Sequence, residues 1–311
     1  MALVDEILRL PELEEAPPVL VDIGASGEPH AKWKPIARYS ICVAFEGGEA
    51  EVSSSARGFR RLHLVPAVVA EQPARREPFY ATRFPYCSSR LRPNHEALAR
   101  YAFGPLFEVE RETEVEAVGL RETLEGLGLE RVDWFKSDSQ GTDLRLFASL
   151  GDELVSRVLL AEFEPGIIDA YEGEDKLADV MRYLGERGFW PSDLEVKGSQ
   201  RIESGLLART IRPRLRRHVG IALKTAPCWA EIEYLNDFEQ EGVFGKREYL
   251  LGCVLAWLRG HYGFALELAG RGRERFGDEA FGRVEQAAAR RIRLGFARLP
   301  LAAARRLSAR D

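Results

Sequence analysis

Short apolar runs recur along the first two thirds of the chain, and polar or helical stretches separate them. Runs of this kind, rich in β-branched residues and ending near glycine or acidic residues, are typical of buried strands in a parallel sheet. They are Val19–Ile23, Ile41–Phe45, Leu62–Ala70, Val132–Phe135 and Val158–Phe163. Helical spacing is found between them, at Glu96–Tyr101, Thr142–Leu150 and Lys176–Arg187. The alternation predicts an α/β sheet with right-handed crossovers.

The pattern changes after about residue 194. A basic stretch from Arg201 to Arg217 comes first, and an apolar stripe with helical spacing begins after Lys246. The end of the chain, residues 290–310, is again rich in arginine. We therefore predict two regions, an α/β domain over residues 1–195 and a helical C-terminal region over residues 196–311.

The composition excludes several classes of protein. With 44 Lys+Arg against 49 Asp+Glu among 311 residues, the net charge is −5, which argues against a nucleic-acid-binding domain. No apolar run reaches the roughly 18 residues that a membrane span needs, and the acidic N-terminus is unlike a secretory signal. The four cysteines are scattered, so neither a disulfide framework nor a zinc ribbon is expected. We expect a soluble, cytoplasmic protein without a transmembrane segment.

The first apolar run ends in an acidic and glycine-rich turn, and an acidic residue follows the second run. A glycine turn lets a ligand approach the backbone, and an acid about twenty residues later, here Glu46, can bind both hydroxyls of a ribose. Because Asp22 suits a cationic ligand better than a pyrophosphate, the motif favours S-adenosylmethionine over NAD. The alternative is an ordinary glycine-rich turn between a strand and a helix. The turn consists of Asp22, Gly24, Ala25, Ser26 and Gly27.

A second motif, Val132 to Leu144, runs from a predicted strand into polar residues and a glycine. It places Lys136, Asp138 and Gln140 at the carboxyl end of the sheet, where open α/β sheets bind ligands. A carboxylate at that edge can take a proton from an attacking hydroxyl if partial burial raises its pKa. The alternative for Asp138 is that it caps the following helix.

A third motif is the Pro- and Ser-rich loop from Pro85 to His95. Ser88, Ser89 and Asn94 are candidates for ligand binding, or for local turns and a helix cap. The sequence contains no nucleophile elbow, no phosphate-binding loop and no pair of metal-binding histidines, so no metal site is expected.

Together these motifs resemble the FkbM-type family of S-adenosylmethionine-dependent methyltransferases. The resemblance covers about residues 19–195, with the segments in the family's order. Gly47 and Gln140 stand where the family often has Pro and Glu, and Ser137 replaces an apolar residue. The matching segments are Val21–Ala25, Ala44–Gly47, Ser88–Asn94, Val132–Leu144, Glu162–Glu164 and Tyr171–Gly173.

The resemblance implies a class I methyltransferase (Rossmann-like) fold, with a seven-stranded sheet, and methyl transfer to a hydroxyl of a sugar, glycan or natural-product acceptor. For this reaction we expect Asp138 to be the base or to orient the acceptor, and Glu162 to be a second acceptor contact. Lys136 either stabilises the developing alkoxide or forms a structural ion pair beside Asp138. S-adenosylmethionine would be held by a set of seven residues. These are Asp22, Gly24, Ala25, Ser26, Gly27, Glu46 and Ser89.

Three alternatives stay open at the level of sequence. An NAD-dependent or nucleotide-sugar oxidoreductase shares the glycine turn and the acid, although the full glycine motif and a Tyr-x-x-x-Lys pair are absent. A non-catalytic cofactor-binding or assembly module of a polysaccharide or natural-product pathway would keep the cofactor site without turnover. The arginine-rich stretches are either solvated helix faces or contacts with an anionic acceptor or a membrane surface, as a peripheral contact.

Overall fold

The structure is a computed structural model that describes residues 2–24, 31–46 and 58–297. The chain divides into two compact units. The smaller unit is drawn from residues 1–18, 32–40 and 240–311, and the larger unit from residues 19–31 and 41–239. Each unit is therefore discontinuous in sequence.

The described residues of the larger unit form ten strands in two sheets. The main sheet has seven strands in the order β3-β2-β1-β7-β8-β10-β9, and the small sheet has three in the order β4-β6-β5. The strands are β1 (Val19–Ile23), β2 (Ile41–Phe45), β3 (Arg61–Val65), β4 (Val68–Ala70), β5 (Ala74–Thr82), β6 (Val109–Gly119), β7 (Trp134–Ser137), β8 (Leu160–Phe163), β9 (Phe189–Gln200) and β10 (Thr225–Asn236).

The main sheet is parallel through its first five positions and antiparallel at its far edge. Strands β3, β2, β1, β7 and β8 pair in parallel, whereas β10 runs antiparallel to both β8 and β9. In the small sheet β4 pairs in parallel with β6, and β5 is antiparallel to β6. This is a mixed α/β architecture with a Rossmann-like parallel core.

Twelve α-helices lie in the described part of the chain. The smaller unit contains α1, α2, α10, α11 and α12, and the other helices belong to the larger unit. The helices are α1 (Ala2–Leu8), α2 (Pro11–Glu15), α3 (His95–Leu98), α4 (Leu120–Gly126), α5 (Asp143–Ala148), α6 (Asp152–Arg157), α7 (Leu177–Gly185), α8 (Ser204–Thr210), α9 (Val219–Ala222), α10 (Lys246–Leu258), α11 (Tyr262–Phe276) and α12 (Glu279–Ala297).

One face of the main sheet carries the apolar core of the larger unit. Val21, Phe135 and Ala161 stand on neighbouring strands and are fully buried. They pack in one cluster with Phe147 of α5 and Val180 of α7. Because side chains alternate along a strand, Asp22 and Lys136 project from the opposite face of the same strands. The parallel strands thus hold charged residues in fixed register behind an apolar core.

The smaller unit is a helical assembly with close helix contacts. A Cβ atom on Gly272 of α11 would lie 2.4 Å from the ring of Phe281 in α12, so glycine allows these helices to approach closely. The buried Arg247 donates hydrogen bonds to the carbonyl oxygens of Ala16 (2.8 Å) and Pro17 (3.1 Å). These bonds join α10 to the chain just after α2, so residues from both ends of the sequence form one unit.

The boundary predicted at residue 195 falls inside β9, so the helical region does not begin there. The sheet continues through β10, and the larger unit extends to residue 239. Strand β10 escaped detection because its buried residues, such as Ala230, Ile232 and Tyr234, alternate with polar ones and because Pro227 interrupts the run. The helical end predicted from the stripe after Lys246 is confirmed as α10, α11 and α12.

Two of the predicted strands coincide with observed strands, and one predicted run is divided. Val19–Ile23 and Ile41–Phe45 are β1 and β2. The run Leu62–Ala70 instead forms β3 of the main sheet and β4 of the small sheet. Across residues 2–24, 31–46 and 58–297, no helix combines the length and the apolar character that crossing a bilayer requires.

Candidate functional site

The candidate site lies where the chain reverses its direction of travel across the main sheet. From β1 the chain proceeds to β2 and β3 on one side, and it later returns to β7 on the other side of β1. The connections that leave β1 and β7 therefore diverge at their carboxyl ends. In open α/β sheets this topological switch point forms the crevice in which ligands bind.

Gly24 allows the two diverging segments to meet closely. It follows β1 with a φ of +83°, and a Cβ atom there would lie 2.2 Å from the carbonyl oxygen of Asp138. The amide of Asp138 donates to the carbonyl oxygen of Ile23 (3.0 Å), and the amide of Gly24 donates to that of Phe45 (3.2 Å). Glycine is required here both by the backbone conformation and by the space available.

A cavity of about 340 Å³ opens beside this contact. Four of the residues predicted to bind the cofactor or to act in catalysis line it: Gly24 after β1, Glu46 after β2, Ser89 in the Pro- and Ser-rich loop and Asp138 after β7. The remaining wall is largely apolar, and part of it comes from the small sheet. Its apolar residues include Ile23, Phe45, Val68, Val69 and Phe79. The structure thus brings three separate sequence motifs together around one cavity.

Other predicted residues lie elsewhere. Ala25, Ser26 and Gly27 lie outside the described residues. Asp22 is only 1% exposed and does not line the cavity; it stands within β1 on the face opposite the apolar core. Its carboxylate lies 3.5 Å from Nζ of Lys136.

Lys136 and Glu162 belong to a row of charged residues across the main sheet. Asp22, Lys136, Glu162 and Glu233 are direct register partners on β1, β7, β8 and β10. Burial lowers the pKa of Lys136, but the surrounding carboxylates, Asp22 first among them, outweigh burial and raise that pKa above its ordinary value. Lys136 is therefore held as a cation, and its charge balances buried acids within the sheet.

Glu162 is buried within this row rather than placed at the cavity. It is 9% exposed, and the indole Nε1 of Trp134 donates a hydrogen bond of 2.6 Å to its carboxylate. It stands inside β8, which ends at Phe163. The next residue on the same side of the strand is Glu164, beyond the carboxyl end.

Asp138 and Glu164 form a pair of acids whose proton affinities are raised. Burial and then the Asp143 carboxylate raise the pKa of Asp138 to about 6, although Lys136 and a hydrogen bond from Gln140 oppose the change. Burial and then the charge of Asp138 raise the pKa of Glu164 to about 8. Two acids with separated pKa values near neutrality can divide the roles of proton acceptor and proton donor.

Glu164 is not among the site residues that the sequence predicts. The signal that could have identified it is its position directly after the end of a predicted parallel strand, which is also the position of Asp138 after β7. The predicted run Val158–Phe163 and β8 end at the same residue, so Glu162 lies one residue before the strand end and Glu164 one residue after it.

Asp143 organises the backbone around both acids. Its carboxylate is fully buried and accepts hydrogen bonds from the Ser137 hydroxyl (2.6 Å), the Ser139 amide (2.8 Å) and the Glu164 amide (2.9 Å). It therefore joins the carboxyl ends of β7 and β8. The hydroxyl of Ser137 is one of these donors. The FkbM-type pattern has an apolar residue at this position, which could not donate.

Asp138 does not cap the following helix. The N-cap of α5 is Thr142, and Asp138 instead accepts a hydrogen bond of 2.5 Å from the side-chain amide of Gln140. Gln140 has a φ of +56° and its side-chain oxygen lies 2.9 Å from the hydroxyl of Tyr171. The amide of Gln140 is thereby oriented with its nitrogen toward Asp138.

Two residues of the Pro- and Ser-rich loop have different roles. Ser89 binds the segment that carries Asp138, and Asn94 caps a helix. Ser89 donates a hydrogen bond of 2.7 Å to the carbonyl oxygen of Gln140, and its hydroxyl accepts one from the Leu91 amide (3.0 Å). Asn94 caps α3 by accepting from the Ala97 amide (3.1 Å), so the local role considered for it is confirmed. Ser89 therefore lines the cavity and also holds the backbone of Gln140, which lines the same cavity.

A buried arginine adds a positive charge to the cavity wall. Arg90 lines the cavity, is 9% exposed, and donates to the carboxylates of Glu77 (2.7 Å) and Glu71 (2.9 Å). Charge-assisted hydrogen bonds of this kind hold a side chain in one orientation. The wall near the small sheet is therefore rigid as well as apolar.

Comparisons of the chain with protein-family models, curated proteins and solved structures found no match. The similarity to the FkbM-type family accordingly stays a prediction from the motifs. The geometry of the cavity and of its acids provides information about function that does not depend on similarity to other proteins.

Proposed function

We propose that the chain is an S-adenosylmethionine-dependent methyltransferase that acts on a hydroxyl group of a sugar, glycan or natural-product acceptor. The observation that carries the proposal is the cavity at the topological switch point, with Glu46 at the end of β2 and Asp138 at the end of β7. A carboxylate at the end of the second strand is the position that binds ribose hydroxyls in sheets of this type. The seven-stranded, mainly parallel sheet supports the same proposal.

The residues of the cavity suit S-adenosylmethionine in size and chemistry. A volume of about 340 Å³ lies in the range of small-molecule sites. The apolar wall formed by Val68, Val69 and Phe79 suits an aromatic base, and Glu46 can accept hydrogen bonds from hydroxyl groups. The cofactor, when bound, supplies an electrophilic methyl group on a sulfonium ion.

Asp138, rather than Asp22, supplies the negative charge that would attract this sulfonium ion. Asp22 is paired with Lys136 inside the sheet, whereas Asp138 faces the cavity. A pKa of about 6 leaves Asp138 mostly ionised at neutral pH, so it can attract a cation and accept the proton of an acceptor hydroxyl. Lys136 keeps its proton and limits the rise in the pKa of Asp138.

Glu164 complements Asp138 in proton transfer. A pKa of about 8 leaves Glu164 mostly protonated at neutral pH, so it can serve as a proton donor while Asp138 serves as a proton acceptor. Asp143 holds the Ser139 amide and the Glu164 amide on one carboxylate, which fixes the segments that carry both acids. The main work of the protein is to align the acceptor oxygen with the methyl group.

The test is methyl transfer from methyl-labelled S-adenosylmethionine to extracts of the cell from which the chain comes. We expect labelling of a non-protein acceptor by the natural chain, loss of at least about 100-fold in rate for Asp138→Asn, and an unchanged rate for the exposed control Glu110→Gln. Full turnover by Asp138→Asn would remove Asp138 as the base. Cofactor binding without transfer to any acceptor would instead support a non-catalytic module.

A further inference from the structure

The connection between β9 and β10 of the larger unit has an unusual composition. Residues 204–224 contain six cationic side chains and no Asp or Glu, in a chain whose net charge is −5. The connection consists of α8, a 3-10 turn over Pro213–His218, and α9. The six cations are Arg209, Arg212, Arg214, Arg216, Arg217 and Lys224. We call residues 204–224 the basic connection.

Large apolar side chains are exposed on the same connection. Leu206 is 47% exposed, Leu215 is 50% exposed and Ile221 is 87% exposed. By contrast, Leu207 is 7% exposed, so α8 is anchored to the protein by one residue while its neighbour faces outward. Three exposed large apolar side chains within one short segment, beside exposed cations, are typical of a surface that binds a partner.

Three cations of the basic connection are available for an external partner. Arg209, Arg212 and Arg214 are exposed, and none of the three forms an ion pair with a residue in the described ranges. Arg212 and Arg214 border an open concavity of about 550 Å³ together with Leu215. Elsewhere in the larger unit, exposed arginines such as Arg83 and Arg121 are paired with glutamates.

We propose that the basic connection docks the protein onto an anionic membrane surface. Arginines on a segment without acids are attracted to anionic headgroups, and exposed Leu and Ile side chains can enter the boundary between headgroups and acyl chains. A nucleic acid would use the cations but would leave Ile221 and Leu215 exposed to water. The combination of both features favours the lipid surface, and the proposal is independent of the chemistry at the cavity.

The test is sedimentation of the full chain with vesicles. We expect binding to vesicles of phosphatidylcholine with 30% phosphatidylserine, at least about tenfold weaker binding to phosphatidylcholine alone, and loss of binding as NaCl rises from 50 to 500 mM. Equal binding to both vesicles, or no binding to either, would overturn the proposal. So would tight binding to a duplex oligonucleotide without any binding to vesicles.

Substitutions on the basic connection separate its two contributions. We expect R212E/R214E to weaken binding to the anionic vesicles by at least about tenfold, and Ile221→Asp to weaken it at both salt concentrations. The matched controls are Arg75→Glu and Met181→Asp, an exposed cation and a 45% exposed apolar residue elsewhere in the larger unit. Circular dichroism establishes that each variant is folded. Controls that weaken binding as much as the test variants would refute the assignment to this segment.

Discussion

Replacing Glu164 by Gln is expected to change how the stability of the protein depends on pH. The pKa of Glu164 rises from its ordinary value of 4.5 to about 8 in the folded protein, chiefly because the carboxyl group is buried and lies near Asp138. The folded state therefore binds this proton more tightly than the unfolded state does. The contribution of Glu164 to the free energy of unfolding is fully present below pH 4.5 and is lost as the pH rises through 8.

The size of this effect follows from the two pKa values. At about 1.4 kcal/mol for each tenfold change in proton affinity, the difference amounts to at most about 5 kcal/mol above pH 8. Gln cannot ionise, so the Glu164→Gln variant should lose this decline. We expect it to match the natural chain within about 1 kcal/mol at pH 5 and to exceed it by about 3–5 kcal/mol at pH 8.5.

Urea unfolding followed by tryptophan fluorescence at pH 5, 7 and 8.5 measures the difference. Glu110→Gln, an exposed substitution on β6, is the matched control and should follow the natural chain at every pH. Asp138→Asn should weaken the decline, because the charge of Asp138 contributes to the raised pKa of Glu164. Equal declines in the natural chain and in Glu164→Gln would refute the reasoning.

Three further predictions follow from the packing around the site. In urea unfolding, Gly24→Ala should lower the free energy of unfolding by about 2–4 kcal/mol, because the residue has a positive φ and its Cβ would meet the Asp138 carbonyl oxygen. The control Gly173→Ala, at φ +70° with open space around it, should lower it by about 1 kcal/mol. Asp143→Ala should cost about 3–5 kcal/mol in the same assay, because four donors, among them the buried Ser137 hydroxyl, lose their acceptor. The exposed Asp152→Ala should cost little. The four buried cysteines, whose pKa values are raised by burial, should react with a thiol reagent at pH 8 only after unfolding; rapid reaction of the native protein would contradict their placement.

Local patterns in the sequence were sufficient to predict the centre of the larger unit. An apolar run that ends in Asp-x-Gly encodes both β1 and the turn after it, because the strand needs apolar side chains and the turn needs the conformational freedom of Gly24. Residues that directly follow parallel strands gather at one edge of a sheet. For that reason Gly24, Glu46 and Asp138, which are far apart in sequence, line one cavity.

The edge of the main sheet and the roles of several acids depended on contacts that no local pattern specifies. Strands β9 and β10 run antiparallel, and β10 alternates charged and apolar residues, so it lacks the continuous apolar run of a central strand. The pKa of Glu164 is raised by burial and by the charge of Asp138, which follows a different strand. Asp143 joins the ends of β7 and β8 because it accepts a hydrogen bond from the amide of Glu164, which is 21 residues away in sequence.

Isothermal titration calorimetry with S-adenosylmethionine tests the central claim most directly. We predict one binding site per chain in the natural protein, a loss of at least about tenfold in affinity for Glu46→Ala, and unchanged affinity for the exposed control Glu110→Ala. Absence of measurable binding to the natural chain, or binding that Glu46→Ala leaves unchanged, would contradict the assignment of this cavity to the cofactor.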